Sequence, residues 1–528
     1  MSQSKQATKS VFILIIFGLG SKLLGFIREM LIAKKFGSGM ETDTFFIALT
    51  AATLFSTLLT QSLSTTMIPV MSEVEQKEGK AGKITHTNNL MNISILASIV
   101  LVALGWLLSP VIVKLLAYGF KGEQFALAVT MVRIGMPVIV FSGIVGICRG
   151  FLQSEMMFME TAASQFPFNF TYIIFLLSLS SVFGIKGLMV TSVLAVGSQI
   201  LIQLPGVRKA GYRYKFFVDF KDQYIRKVSY LVLPVLVSVA ISDLNSIIDR
   251  SMASTLVEGS ISALNYSGRL NSFVLSIFIT AITTVFFPML SKEAVKANHD
   301  HFKRLIRNAF NVILLITIPA MVGIVVLTQP IVRLAFERGF FDQGATTMTA
   351  AALLFYSLGL VGMALRTLMN RVYYSLQDTK TPMYNGLLSL GLNVILNLML
   401  IKYMAHSGLA LATSIATTVT TGSLIYGLRK KIGSIGMSNY IICGLKSLVS
   451  SLVMGVLVYL LYYPLESAVL GNTLLELVVL LGVISLGAAV YFLMIYLLRV
   501  EEMNWFVNLF KKRLREGRFS AWFKEHRV

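Results

Sequence analysis

Thr65-Thr66-Met67-Ile68-Pro69-Val70-Met71-Ser72 returns later in the chain as Thr283-Thr284-Val285-Phe286-Phe287-Pro288-Met289-Leu290-Ser291. Outward from these stretches the two halves keep matching in order. Pro110-Val111-Ile112-Val113-Lys114-Leu115 answers to Pro330-Ile331-Val332-Arg333-Leu334, and each run leads to a Gly-Phe pair, at Gly119 and Gly339. Gln153 and Asn169 recur with the same spacing as Gln377 and Asn393. Gly187-Leu188 ahead of Thr191-Ser192 matches Gly408-Leu409 ahead of Thr413-Ser414. One short match carries little weight. Several in the same order, at an offset of about 220 residues, mark an internal duplication.

The duplicated unit is apolar. Of 528 residues, 55% are hydrophobic and 13% charged, about half the charged share of a soluble chain. Runs long enough to cross a bilayer as helices lie near 10–34, 44–71, 88–117, 125–149, 161–183, 186–205, 228–255, 263–290, 306–329, 345–370, 383–403, 407–428, 439–462 and 471–498. Barrel strands are shorter and alternate polar with apolar residues, which these do not. The first run is too long for a signal peptide and lacks a small-residue cleavage site. An even number of helices per repeat, about six, keeps both copies in one orientation, the parallel-repeat plan of two-lobed transporters. The expected fold is an all-α polytopic membrane protein of about fourteen helices. Its parts read as an N-lobe at 1–206, a basic linker at 207–227, a C-lobe at 228–431, helices 13 and 14 at 432–499, and a basic tail at 500–528.

The net charge of +21 suggests nucleic acid in a soluble protein, but here its distribution argues for a membrane. Arg208, Lys209, Arg213, Lys215, Lys221, Arg226 and Lys227 share one loop; Lys292, Lys296, Lys303, Arg304 and Arg307 share another; Arg429, Lys430 and Lys431 a third. Intervening loops hold few bases. The positive-inside rule then places both termini in the cytoplasm. Trp505, Phe506, Phe510 and Trp522 amid the bases of the tail fit an interfacial helix on anionic lipid, and equally a solvated tail.

No GxxxxGK[ST] loop, HExxH or other zinc spacing occurs, and no large outside loop offers room for a catalytic domain. This opposes a membrane glycosyltransferase or polymerase. Energy for transport is expected from an ion gradient, the membrane potential or the substrate gradient. Cys148 and Cys443 fall in or beside predicted spans and form no CxxC.

Charges inside apolar runs are the functional signal. Lys22, Arg28 and Glu29 lie in the first run and Arg269 in the eighth. An ionisable group at bilayer depth costs about 2.5–3.5 kcal/mol, so it marks a water-filled cavity or a cargo. The surplus is positive, so the cargo is read as anionic, and guanidinium forks suit phosphate. A cationic-drug exporter calls for an acidic cavity instead. Gly18, Gly20 and Gly25 are expected to let helix 1 bend and bring Lys22 and Arg28 to one cavity. The competing reading is internal pairing, of Glu29 with Lys22 or Asp43 with Arg28. Arg133 and Arg149 read as snorkelling or structural. A second cluster holds Asp249, Asn393, Asn397 and Thr413. One carboxylate with neutral oxygens is the donor set of a candidate Na⁺ site; a salt bridge from Asp249 to Arg250 or Arg269, or interhelical amide bonds, explains it equally.

Ser21-Lys22-Leu23-Leu24-Gly25-Phe26-Ile27-Arg28-Glu29, followed by Phe36-Gly37 and Thr42-Asp43-Thr44-Phe45-Phe46, resembles the opening signature of the MurJ/MviN lipid II flippases. These belong to the multidrug/oligosaccharidyl-lipid/polysaccharide exporter superfamily. Tyr266-Ser267-Gly268-Arg269-Leu270 and Tyr374-Ser375-Leu376-Gln377-Asp378-Thr379-Lys380-Thr381-Pro382 extend the likeness along the chain. The resemblance implies alternating-access movement of undecaprenyl-pyrophosphate-linked saccharide, lipid II above all, to the outer leaflet of the bacterial inner membrane. It implies no catalytic activity, no cofactor beyond a Na⁺ ion, no nucleic acid, a monomer, and membrane lipids as neighbours. Helices 13 and 14 would form the lipid-tail groove. By the same resemblance Lys22, Arg28, Glu29, Asp43 and Arg269 form the substrate site, and Asp249, Asn393, Asn397 and Thr413 the ion site. Two departures stand out. Ser56 and Thr57 stand where the family typically has an arginine pair, which leaves another undecaprenyl-linked glycan as the alternative cargo. Asn397 stands where a second carboxylate can occur, which implies weaker Na⁺ binding and coupling through the membrane potential.

Overall fold

The computed structural model describes residues 3–294, 300–434 and 436–500, and among them there is helix and turn but no strand. The tail from 501 onward, with Trp505, Phe506, Phe510 and Trp522, lies outside the described residues. Helix is the outcome bilayer physics demands, because every backbone N–H must find its acceptor within its own segment.

α1 (Gln3–Phe36) is one helix, α2 (Met40–Leu107) holds two apolar runs joined at Gly79, where φ is 71°, and α3 (Ser109–Leu116) is a short helix opened by Pro110. α4 (Gly122–Gly135) and α5 (Val138–Ser154) meet at Met136–Pro137, and α6 (Phe158–Ala163) and α7 (Gln165–Ser178) meet at Ser164. α8 (Ser180–Lys209) breaks at Gly184. α9 (Gln223–Ala253), α10 (Ser260–Ala294) and α11 (Asp300–Val326) follow, then the short α12 (Thr328–Phe336). α13 (Gln343–Leu358) and α14 (Leu360–Ser375) bend by 47° at their junction. α15 (Lys380–Ile432) holds two runs that part at Ala405; α16 (Met437–Val469) and α17 (Thr473–Leu497) close the described chain. Every predicted run coincides with helix. Among the described residues, seven helical stretches are long and apolar enough to cross a membrane, and the bent α13–α14 pair adds an eighth.

The duplication is written in the backbone as well. Left-handed φ values recur at Met156 and Gln377, and at Gly184 and Ala405, each pair about 220 residues apart. α3 and α12, each with its matched proline in the first turn, are equivalent short helices.

The chain divides into two compact units. The first comprises the described residues of Met1–Arg269 with Ala335–Thr349 and Val394–Leu409. One of its apolar cores gathers Met67, Met71, Ile147, Phe151, Val207 and Val228. The second comprises Leu270–Leu334, Ala350–Asn393 and the described residues of Ala410–Val528. It has one core around Phe302, Ile313, Leu368 and Tyr373 and another around Val322, Val458, Tyr462 and Tyr491.

Helix 1 does not break at its glycines. Two of them serve packing: a Cβ on Gly20 would press Phe166, and Gly25 faces Asn169, so α7 lies close along α1, while Gly18 faces open space. Within the first unit the matched Gly-Phe pairs make equivalent contacts. Gly119 backs onto the Ser254 backbone after α9 and donates its N–H to Ser254 Oγ at 3.1 Å; Gly339 backs onto the Lys34 carbonyl in α1, to which Phe340 donates at 3.0 Å. Gly339 also has φ 65°, and any Cβ there would overlap the Lys34 oxygen. Gly339→Ala is therefore expected to cost about 2 kcal/mol, seen as a lower unfolding midpoint in detergent. Gly391→Ala, where the helix has open space, should show no such loss.

The basic linker is not a loose strap. From Tyr212 to Asp219 it is neither helix nor strand and is held by three buried asparagines of α2. Asn88 donates to the Arg213 carbonyl and accepts from Lys215 N–H and Tyr212 Oη. Asn89 brackets the Asp219 backbone, and Asn92 donates to the carbonyls of Lys215 and Phe217. Asp222 then caps α9 by accepting from Tyr224 N–H at 2.8 Å. His86, in the stretch between the two apolar runs of α2, sits between carboxylates: Nδ1 lies 2.6 Å from Asp222 and Nε2 lies 2.8 Å from Glu78. Burial works against its charge, but the bonds to Asp222 and Glu78 outweigh burial and raise its pKa. A raised folded-state pKa gives stability that is complete below the ordinary value of about 6.5 and fades as pH rises through the raised value. Wild type should accordingly lose more of its thermal midpoint than His86→Gln between about pH 6 and about pH 8.

Candidate functional site

The charges of α1 and α10 meet in the first unit. Arg28 Nη2 bonds Glu29 Oε1 at 2.8 Å, and Arg269 Nε approaches the same oxygen at 3.5 Å. Glu29 is buried, so one desolvated carboxylate holds two guanidiniums. A buried carboxylate is tolerated where cations pair with it. Arg28 is seated from the other side by α7: Nη1 donates to Asn169 Oδ1 at 3.3 Å, and the guanidinium lies over the rings of Phe168 at 5.4 Å and Tyr172 at 5.0 Å. Asn169 is itself fixed by donating to the Gln165 and Ser21 carbonyls. Arg269 is different. Its side chain is 49% exposed, against 15% for Arg28. Arg250 adds a third guanidinium, bonding Thr50 Oγ1 and, at 3.3 Å, Asn265 Oδ1. Lys22 is half-buried one heptad before Glu29. The site is net cationic, with one arginine locked and one presenting its fork.

Asp43 has another task. It is buried, and its oxygens accept from Gly259 N–H and Ser262 N–H, both at 2.7 Å, and from Ser262 Oγ at 2.5 Å. It thus caps the N-terminus of α10, where the helix dipole favours an anion. Asp43, which the resemblance places among the substrate-site residues, has these lone pairs directed to backbone and hydroxyl donors. The same cap fixes the start of α10, which carries Arg269, to α2.

Ser56, standing at the family's arginine position, is engaged within the fold: its Oγ lies 2.5 Å from Ser142 Oγ on α5. Arg133 packs over Trp106 and bonds Ser109, the structural role its position suggested. Arg333, in the repeated Pro330–Leu334 stretch, is mostly enclosed in the second unit. It bonds Glu466 at 2.8 Å, Glu476 and Tyr462, joining α12 to α16 and α17. On α16 and α17, Tyr459, Leu460, Leu474, Leu475 and Leu477 are exposed.

Each unit holds a hydrogen bond of the polar cluster. In the first unit Asn397 donates to Asp249 Oδ1 at 2.6 Å; in the second, Asn393 donates to Thr413 Oγ1 at 3.1 Å. Asp249, Asn393 and Asn397 are buried. Among the described residues no three His, Cys, Asp or Glu side chains gather as a metal site. Carboxylate, amide and hydroxyl are hard oxygen donors, so their chemistry fits a Na⁺ ion if the Asn397 amide presents its oxygen.

The sequence pointed to Lys22, Arg28, Glu29 and Arg269 but not to the seat of Arg28. Asn169 carried a signal, as the repeat partner of Asn393. Phe168 and Tyr172 carried none, since aromatic residues are routine in a span.

A family model described as Lipid II flippase MurJ matches residues 32–501. The probable lipid II flippase MurJ of Rickettsia prowazekii is 29% identical over 502 residues, covering 94% of this chain and 98% of that one. That of Vibrio cholerae is 30% identical over 442 residues, covering 80% and 83%. Among solved structures, one titled lipid II flippase MurJ in an inward closed conformation aligns with TM-score 0.78 at 25% identity, covering 92% of this chain and 98% of that one. An inward-facing multidrug MATE-family transporter aligns with TM-score 0.63 at 12% identity, covering 79% and 95%, a likeness of fold.

Proposed function

The chain belongs to the lipid II flippase MurJ family, and from that premise we propose how its residues carry the cargo. It is a transporter of the bacterial inner membrane that translocates lipid II, a reading that displaces the alternative of another undecaprenyl-linked glycan. The observation that carries the residue assignment is the Arg28–Glu29–Arg269 arrangement, with two guanidiniums on one buried carboxylate and Arg269 half-exposed. A pyrophosphate offers more acceptor oxygens than Glu29 and can take the Arg269 fork bidentately. Arg28 stays on Glu29 and Asn169 and holds the positive field. Lys22 adds charge one heptad away. Glu29 keeps the arginines apart and oriented when cargo is absent.

On the topology that the loop charges predict, the Asp43 cap and the Gly119 and Gly339 contacts lie at the outer ends of their helices. Opening outward then requires these contacts to part, and cargo shifts the equilibrium only by binding the two states differently. The two repeats are the moving bodies of this alternating-access cycle. α16 and α17 offer their exposed Leu and Tyr face to the prenyl chain. The test of the cargo is replacement: in a cell depleted of its own lipid II flippase, this chain should restore growth and the outer-leaflet appearance of lipid II. Continued accumulation of inner-leaflet lipid II with the chain inserted would overturn the reading.

A Na⁺ ion is proposed at Asp249 with Asn397, the donor set with the only carboxylate. The ion would supply a charge whose binding biases the conformational equilibrium. Asp249→Asn removes that carboxylate, and Na⁺ should then no longer raise the unfolding midpoint of the purified chain relative to choline. Wild type lacking any Na⁺ stabilisation would leave the pair as a hydrogen-bonded interhelical tie.

A further inference from the structure

The linker between α8 and α9 presents an exposed aromatic and basic surface. Asn88, Asn89 and Asn92 take up its backbone bonds on one side, and residues 213–217 are exposed. Phe216 is 73% exposed and Phe220 71%. Arg213 and Lys215 before them and Lys221 after them are exposed, while Asp219 between them is half-buried and accepts from Lys221 N–H. Free phenylalanines in a water-facing loop are unfavourable, and a loop of this composition could fold them inward. The asparagine ladder prevents that. It holds the segment at a fixed height on α2, one turn (about 6 Å) before the exposed apolar belt of Leu96, Ile99 and Val100 begins. The aromatic rings are therefore poised at the edge of the apolar belt, with cationic side chains flanking them. Asp222, one of the two acids among 208–227, is buried against His86 and Asn89 and does not offset that charge outside.

We propose that residues 213–221 form a preset anchor for anionic phospholipid headgroups, with Phe216 and Phe220 among the acyl chains and Arg213, Lys215 and Lys221 on the phosphates. Aromatic rings favour the interfacial layer, and clustered bases at that depth select anionic lipid. The rigidity matters, because a surface already ordered loses little entropy when it binds. Charge complementarity with an anionic leaflet, together with the height of the segment on α2, favours lipid over a soluble protein partner. The inference rests on membrane placement and not on the identity of the cargo.

The test uses the full chain in nanodiscs of phosphatidylcholine, with or without about 30% phosphatidylglycerol. Phe216→Cys carries an environment-sensitive fluorophore; Cys148 and Cys443 are buried, and the unsubstituted chain is the labelling control. Quenching by doxyl-labelled lipid should rise at least two-fold, and quenching by iodide fall, when phosphatidylglycerol is present. Arg213→Ser/Lys215→Ser/Lys221→Ser should return both signals to the phosphatidylcholine level. A second label at Phe220→Cys guards against local loss of structure at one site. Equal iodide access in both discs at both sites overturns the proposal and leaves the surface open to a soluble partner. Lipid quenching that is equal in both discs and unchanged by the triple substitution also overturns it, as apolar contact without headgroup recognition.

Discussion

Arg269→Ala stops lipid II from reaching the outer leaflet, and Arg28→Ala does the same, although each protein is made and inserted. The expected loss is about 100-fold or more in transport, since a charge-assisted contact of about 3 kcal/mol is removed. The two differ in their side effects. Arg269 is half-exposed, so its removal leaves Glu29 with Arg28 and little else disturbed. Arg28 is enclosed by Asn169, Phe168 and Tyr172, so its removal strands a buried carboxylate and should also lower the unfolding midpoint. Arg269→Lys should keep part of the activity, because lysine offers charge without the planar fork. The measurement is rescue of a flippase-depleted cell, read beside the amount of inserted protein. Normal rescue by Arg269→Ala would remove this residue from the cargo site.

Asp43→Ala is the second large effect, and it is of another kind. It leaves the N–H groups of Gly259 and Ser262 without their acceptor and deletes the anion at the start of α10. About 3 kcal/mol of stability should go with it. Asp43→Asn should lose less, because an amide oxygen can still accept from one of the donors. If Asp43 only caps the helix, transport across Asp43→Ala, Asp43→Asn and wild type should track the unfolding midpoint. A cargo-binding role predicts instead that Asp43→Asn transports poorly at near-normal stability. The two measurements together separate these outcomes.

Duplication and membrane class were legible in one dimension because they depend on order and composition. The Thr65–Ser72 motif and its echo at Thr283–Ser291 need no coordinates to be seen, and a bilayer permits only helices for runs of that length. Lys22, Arg28, Glu29 and Arg269 were legible for a related reason: at bilayer depth a charge is costly enough to require a use. Pairing was not legible, since it depends on which helix faces which. Glu29 could have taken Lys22, and Asp43 could have taken Arg28; the fold brought Arg269 to Glu29 and Gly259 with Ser262 to Asp43. Arg333 was legible only as a repeat position until α16 and α17 supplied Glu466 and Glu476. Gly20 and Gly25 of α1 read as part of a bend and are also room for α7. Composition and periodicity determined that this chain crosses the membrane as two related sets of helices with a cationic interior. Only tertiary packing decided which arginine is locked and which presents its fork, because burial and hydrogen-bond direction belong to neighbours distant in sequence.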